Sequence, residues 1–336
     1  MKKSEKKLAI FGPYPPPLGG ISVHIERISK YLNKGNIPYT IFNYGHYENQ
    51  KIIATKKSPW FYIKFLFEKS FKLIHFHNNI SLEFLYYFVF ALFNKTPLII
   101  TIHAESLLHY NAVIRNLFLF FIKHTRNAKI ISVSENIYEL LKKENVDVVF
   151  LPAYVPPTSI NFKKIECKNR DYFLFSVWRL TKNEAENVYN VPLAFNFLRK
   201  NRERFQMLFM IGSKESSDLN YLENLLKEYA VQENVLVVFN ENIIDYVGNC
   251  SFLLRTNLQD AYGISLQEAM DLGVPAIGSN VCLRPKGTVL FENNNLKDLE
   301  EKVNYVIDSD KNDLLKEKED LTYHLQLIDL YRQYLS

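Results

Sequence analysis

Cysteine is scarce in this 336-residue chain. Cys167, Cys250 and Cys282 are too few and too widely spaced for a disulfide framework or a zinc-ligand spacing, so a reducing compartment is the expected setting. Long apolar runs are also missing. The longest, Phe84 to Phe93, is about half of the ~20 residues that a membrane-spanning helix needs. The opening MKKSEKKLAIFGPYPPP is basic but has no apolar stretch before its first prolines, so no secretory signal is expected. There is no internal repeat or low-complexity tract, and no helix-turn-helix, zinc-finger or RNA-binding signature. These absences predict a cytoplasmic protein, free or peripheral on the inner face of the cytoplasmic membrane.

What is present reads as globular. Hydrophobic residues make up 47% of the chain and charged residues 23%. The length suits two domains of roughly 150 residues each. Charge is divided unevenly between the halves. Residues 1–157 carry 20 Lys/Arg against 10 Asp/Glu, and the remainder carries 21 against 26. Seven of the eight histidines also lie in the first half. A basic, aromatic-rich half suits an anionic membrane or an anionic substrate. Its lysines are scattered, and with no recognition signature a nucleic-acid partner is not expected.

Apolar runs alternate with helical spacing along the chain. Lys6–Phe11 reads as a buried strand, GPYPPPLGG as a loop, and Ile21, Ile25, Ile28 and Leu32 as one face of a helix. Further strands are expected at 40–44, 73–77, 98–103, 129–133 and 146–151, with helices at 81–93, 112–123 and 135–143, the last capped by Ser134. PAYVPP (152–157) is the linker candidate, since prolines break both periodicities. The pattern then restarts. Strands are expected at 172–178, 207–211, 235–239, 252–255 and 276–279, and helices at 191–199, 219–229, 265–272 and 296–307. A helical tail from Leu314 to Leu335 closes the chain and must pack somewhere, the first domain being one candidate. This is an α/β pattern of two doubly wound, Rossmann-like domains: 1–157, and 158–320 followed by a terminal helix over 321–336. Such folds bind ligands at strand ends, which predicts a central cleft.

Several residues are suited to chemistry there. Gly19 and Gly20 offer backbone N–H groups at a helix start, suited to a phosphate, although a Gly pair after prolines is equally plain turn chemistry. His103 ends a strand, where it is either catalytic or a hydrogen-bonded structural group. His75 and His77 share one strand face, but no third metal ligand is identifiable, so no metal site is expected. In LRTNLQDAYGISLQEAMDLGVPAIGSNV, Gly263 and Ile264 lead into a helix whose N-terminal amides favour a diphosphate. Ser265 is the expected cap. Asp260 is placed to hold hydroxyls of a sugar and Glu268 those of a ribose. Ser265 and Glu268 also form S-x-x-E, a capping box that needs no ligand. Arg179 and Lys182, after a strand, are either a pair for a leaving diphosphate or a solvated pair.

Two segments carry a family resemblance. FGPYPPPLGGISVHIERISKYL resembles the opening of glycosyltransferase family 4, and LQDAYGISLQEAMDLGVPAIGSNV resembles that family's donor-binding signature. IHFHNN, TIHAES, IISVSENIYELLKKENV and LLKEKEDLTYHLQLIDLYRQYL fit between and after them in the right order. The resemblance implies the GT-B fold and retaining, metal-independent hexosyl transfer. The donor would be a nucleotide-sugar, UDP-sugar favoured, serving as substrate and not as cofactor. The acceptor would be lipid-linked or an oligosaccharide, in surface polysaccharide or glycolipid biosynthesis. It implies His103, Asp260 and Glu268 as catalytic residues. Gly19, Gly20, Arg179, Lys182, Gly263, Ile264, Ser265 and Glu268 would bind the donor. His24, on the first helix, is assigned to acceptor binding. Three departures stand out. Asp260 replaces the family's first Glu, Trp178 replaces a Gly before Arg179, and the Lys five residues after Arg179 is absent. These departures motivate an alternative, a non-catalytic nucleotide-sugar-binding subunit of a transferase complex. The segments Trp60–Phe67 and Leu117–Ile122 suit either a membrane-facing surface or a core.

Overall fold

A computed structural model describes residues 7–16, 18–56, 58–66, 70–78, 83–103, 106–165, 171–183, 188–215, 217–319 and 321–336. Lys6, Pro17, Phe67, Asn79, Ser81, Leu82, Ala104, Glu105, Cys167 and Asp320, all within segments or candidates named from the sequence, lie outside the described residues. The chain divides into two compact units. One comprises Met1–Pro16, Gly20–Thr158 and Thr322–Ser336, the other Pro17–Gly19 and Ser159–Leu321.

The first unit runs β1 (Lys7–Gly12), α1 (Gly20–Lys34), β2 (Tyr39–Asn43), β3 (Ile52–Ala54), α2 (Pro59–Leu66), β4 (Phe71–Asn78), α3 (Glu83–Phe93), β5 (Leu98–Ile102), α4 (Ser106–His109), α5 (Ala112–His124), β6 (Ala128–Ser132), α6 (Glu135–Lys143) and β7 (Val148–Phe150). The second runs β8 (Asp171–Val177), α7 (Val191–Lys200), β9 (Phe205–Ile211), α8 (Leu219–Glu228), β10 (Val235–Phe239), β11 (Phe252–Arg255), α9 (Ile264–Asp271), β12 (Ala276–Ser279), β13 (Val289–Phe291), α10 (Leu296–Asp308) and α11 (Lys311–Leu315). Last comes α12 (Tyr323–Leu335), which belongs to the first unit. The helical tail is therefore not continuous. It breaks between α11 and α12, where the chain passes from the second unit to the first.

Both sheets are parallel. Their strand orders are β3-β2-β1-β4-β5-β6-β7 and β10-β9-β8-β11-β12-β13. The order reverses beside β1 in one and beside β8 in the other, so β1/β4 and β8/β11 are the two topological switch points. The short edge strand β13 and the three-residue β3 escaped the sequence pattern because each has too few residues to show a period.

Parallel strands buried on both faces read as continuous apolar runs, and every residue of β9 is buried. Successive residues still point to opposite faces. On β1, Ala9 and Phe11 join a cluster with Tyr62, Phe65, Tyr87, Phe90, Phe118 and Ile122, under α2, α3 and α5. Leu8 and Ile10 face the other way, onto Ile25, Ile28 and Leu32 of α1 and Leu327, Ile328 and Tyr331 of α12. The aromatic segments thus divide. Tyr62, Phe65, Phe118 and Ile122 are core, whereas Trp60, Leu117 and Phe120 are exposed. Caps match local chemistry. Ser134 accepts from Ile137 N–H at the start of α6, as its position before that helix predicts, and Asp218 accepts from Tyr221 N–H at the start of α8.

In the second unit, Phe173 stacks on Phe252 with centroids 5.3 Å apart, in the cluster shared by β8, β9, β11 and α7. Phe173→Ala is expected to destabilise folding by about 3–5 kcal/mol, read as a lowered urea midpoint, because the rigid sheet cannot close the cavity.

Candidate active site

Polar side chains in these sheets gather at the C-terminal ends of strands. In the second unit, Arg255 ends β11, beside the β8/β11 switch point. Its Nε donates to Asp260 Oδ2 at 2.5 Å, its Nη2 to Asp260 Oδ1 at 3.1 Å and its Nη1 to Ser265 Oγ at 3.2 Å. Arg284 also donates to Asp260, through Nη1, and binds Ser279 O at 3.0 Å and Ser279 Oγ at 3.1 Å. Burial alone would raise the Asp260 carboxyl, but Arg255 and then Arg284 hold it down to about 2. Both carboxylate oxygens, expected to hold sugar hydroxyls, are thus engaged by guanidinium groups.

The helix start differs from the expected one. Gly263, at φ +84°, precedes α9, and Ile264 is its first residue. Ser265 lies inside the first turn, where its hydroxyl accepts from Arg255, so it is not the cap and the S-x-x-E box does not form. The left-handed turn at Gly263 replaces a side-chain cap. A Cβ there would fall 2.8 Å from Arg284 Nη1 and 2.8 Å from Leu266 Cδ1. Glu268, one turn in, is buried. Asp260, Gly263, Ile264, Ser265 and Glu268 therefore gather around one helix tip.

Arg179 follows β8, the neighbour of β11; it is half-buried and Lys182 is exposed. Tyr189 links this loop to the cluster. Burial raises its hydroxyl, with the Trp178 backbone bond and Arg255 acting against it, Asp260 adding to it and Arg179 opposing it. Thr256 ties the same segment down, its Oγ1 donating to Tyr189 O at 2.7 Å. The Gly pair is separated: Gly20 opens α1 in the first unit, whereas Gly19 groups with the second. A Cβ on Gly19 would lie 3.4 Å from the Trp178 ring.

The first unit holds a second polar cluster on the α1/α12 face of its sheet. Nδ1–H of His24 donates to Ala153 O at 2.8 Å. His77 Nδ1 and His103 Nε2 are 2.9 Å apart. His75 is bonded at both nitrogens, to Tyr331 Oη at 2.6 Å and Thr101 Oγ1 at 2.8 Å. Among the described residues no group of three or more His, Cys, Asp or Glu side chains is placed to hold a metal ion. Burial pushes His24 down to about 4, and burial followed by the neighbouring histidines pushes His75, His77 and His103 well below the usual imidazole range. All four are neutral at pH 7.

Arg255, Arg284 and Tyr189 do not stand out in the sequence. The available signal was weak: an Arg closing a strand five residues before an Asp, and an Arg flanked by Leu and Pro.

Both units have the fold of GT-B glycosyltransferases. The HepE protein of Anabaena, solved with UDP-glucose, superposes with a TM-score of 0.74 at 11% identity, covering 97% of this chain and 99% of that one. Sucrose-phosphate synthase of Thermosynechococcus elongatus gives 0.73 at 14% identity, covering 98% of each chain. A glycosyltransferase of Rickettsia africae gives 0.67 at 15%, covering 98% and 99%. No curated protein matches the sequence. Residues 157–323 match the family model described as glycosyl transferases group 1.

Stability is expected to fall in two steps as pH drops. The neutral histidines bind fewer protons folded than unfolded, so stability is lost first below about 6.5, the unfolded imidazole value. Asp260, depressed when folded, contributes above about 4 and loses that contribution as pH falls towards 2. Urea midpoints measured against pH check both steps, and Asp260→Asn should abolish the second. At pH 7 that variant should lose about 3–5 kcal/mol, because two buried guanidinium groups lose their counter-ion.

Proposed function

We propose that this glycosyltransferase takes a nucleotide-sugar donor, with UDP-sugars favoured, and transfers the sugar with retention to a lipid-linked or oligosaccharide acceptor. The observation that carries the donor assignment is the helix tip at Gly263. There α9 meets the end of β11 beside a switch point, Glu268 is buried one turn in, and Arg255 and Arg284 supply the nearby cationic charge. The α9 amides would hold the diphosphate. Glu268 would accept from ribose hydroxyls, and Arg179, with Lys182, would neutralise the leaving diphosphate. With its carboxylate engaged by two arginines, Asp260 would act mainly by fixing Arg255 and Arg284. The UDP-glucose named for the Anabaena structure supports a UDP-sugar. A lipopolysaccharide galactosyltransferase with TM-score 0.64 supports a cell-envelope acceptor.

The chemistry asked of the chain is modest. The anomeric carbon passes through an oxocarbenium-like state as the diphosphate leaves. Positioning the acceptor hydroxyl is the largest contribution, and stabilising the departing charge is the second. No metal is required for either, so EDTA should leave the rate unchanged.

We further assign the first unit to a peripheral position on an anionic membrane surface on the cytoplasmic side. Val113, Leu117 and Phe120 form an exposed stripe along α5, Phe93 at the end of the adjacent α3 is 77% exposed, and residues 1–157 carry the excess of Lys/Arg. Among the described residues no helix is long and apolar enough to cross a membrane.

The alternative, a nucleotide-sugar-binding subunit without activity, is favoured by Trp178 and by the exposure of Lys182. A coupled assay for released nucleoside diphosphate, with UDP-, GDP- and ADP-sugars and a cell-envelope lipid extract, decides between them. Donor consumption with a product of unchanged anomeric configuration by NMR is expected. Nucleotide binding without consumption would leave the subunit reading. Glu268→Gln should weaken nucleotide affinity roughly 10-fold or more, since a charge-assisted hydrogen bond is worth about 1.5–3 kcal/mol. His103→Ala should lower kcat. Leu117→Glu with Phe120→Glu should abolish flotation with vesicles containing phosphatidylglycerol while leaving nucleotide affinity intact.

A further inference from the structure

The histidine cluster contains an ordering that the donor site does not explain. His77 Nδ1 and His103 Nε2 lie 2.9 Å apart, so the two rings share one proton, and either ring can donate it. We propose that His77 is the donor: its Nδ1–H points at His103 Nε2 and places the proton of neutral His103 on Nδ1.

Three observations carry this. First, His77 Nε2 is buried with no hydrogen-bond partner among the described residues. In the reverse arrangement that atom would carry a buried N–H with no acceptor, forfeiting a full hydrogen bond. With His77 donating, only a lone pair is left over, which buried structures tolerate better. Second, the His77 ring is held in place. His75 lies against it at 3.9 Å between centroids and is itself fixed by Tyr331 and Thr101. His24 packs 5.1 Å from His77 and 5.7 Å from His103, and its Nδ1–H is committed to Ala153 O. Third, the rings are neutral at pH 7 because they are buried, so each has one donor and one acceptor nitrogen and the assignment is complete.

The consequence concerns what His103 offers. With Nε2 already accepting, neutral His103 is a hydrogen-bond donor at Nδ1 and not a base. His77 is then a positioning residue, and α12 joins the same arrangement through Tyr331 and His75. The meaning for sugar transfer rests on the function proposed above; the tautomer itself does not.

The test separates the two. Protein labelled with 15N-histidine is studied at pH 7.5 by two-bond 1H–15N correlation. His103 is expected to show a protonated Nδ1 and a bare Nε2. His77→Asn keeps an N–H donor at the Nδ1 position and should preserve this pattern. His77→Leu removes the donor and should move the His103 proton to Nε2. In the transfer assay His77→Leu should lower kcat about tenfold or more with the donor KM within about twofold, and His77→Asn should restore most of it. A wild-type His103 protonated on Nε2, or a His77→Leu spectrum unchanged at His103, would overturn the proposal. If His77→Leu fails to fold, the wild-type and His77→Asn spectra decide alone. If the spectra agree but no nucleotide-sugar is consumed, the transferase reading fails and the tautomer assignment stands.

Discussion

Two parallel sheets covered on both faces leave almost nowhere for a polar side chain. Within the strands, burial is so complete that a charge would need a partner and a hydrogen bond to survive. The C-terminal strand ends are where the chain can leave the sheet and where helix N-termini converge. Polar side chains therefore collect there, with Arg255 at the end of β11 and Thr256 after it, Ser279 at the end of β12, His77 on β4 and His103 after β5. The switch points beside β1 and β8 open room at those ends, because neighbouring connections diverge to opposite sides of the sheet.

The two units solve the burial problem in opposite ways. The second keeps its charges and pairs them. Asp260 satisfies Arg255 and Arg284 together, and Arg284 is further anchored to Ser279, whose hydroxyl reaches Asn257 O at 2.6 Å. The first unit gives up charge. Four histidines lie together as neutral rings, each oriented by a ring neighbour or by a hydroxyl or carbonyl acceptor.

Strand and helix positions were mostly legible in the sequence, because a doubly wound unit needs apolar strands of 4–8 residues separated by amphipathic helices, and both periods are local. The candidate residues around α9 were legible for the same reason, since Asp260, Gly263, Ser265 and Glu268 are close in sequence. What each does there was not. The S-x-x-E spacing pointed to Ser265 as a cap, and the left-handed Gly263 displaced it by providing a helix start of its own. Spacing also left Asp260 free for a ligand, and it is instead held by Arg284, 24 positions away. The aromatic segments divided between core and surface by helical phase, which composition does not show.

By itself the sequence determined the fold class, the alternation of elements, the restart after the Pro-rich linker and the neighbourhood of the helix start at Gly263. All of these depend on contacts between residues a few positions apart. Tertiary structure alone decided the partners of Asp260, the hydrogen bonds of the four histidines and the docking of α12 onto the first unit. Those depend on which strand ends the sheet order brings side by side. His75 and Tyr331 meet across 256 positions, and no local period encodes such a pairing.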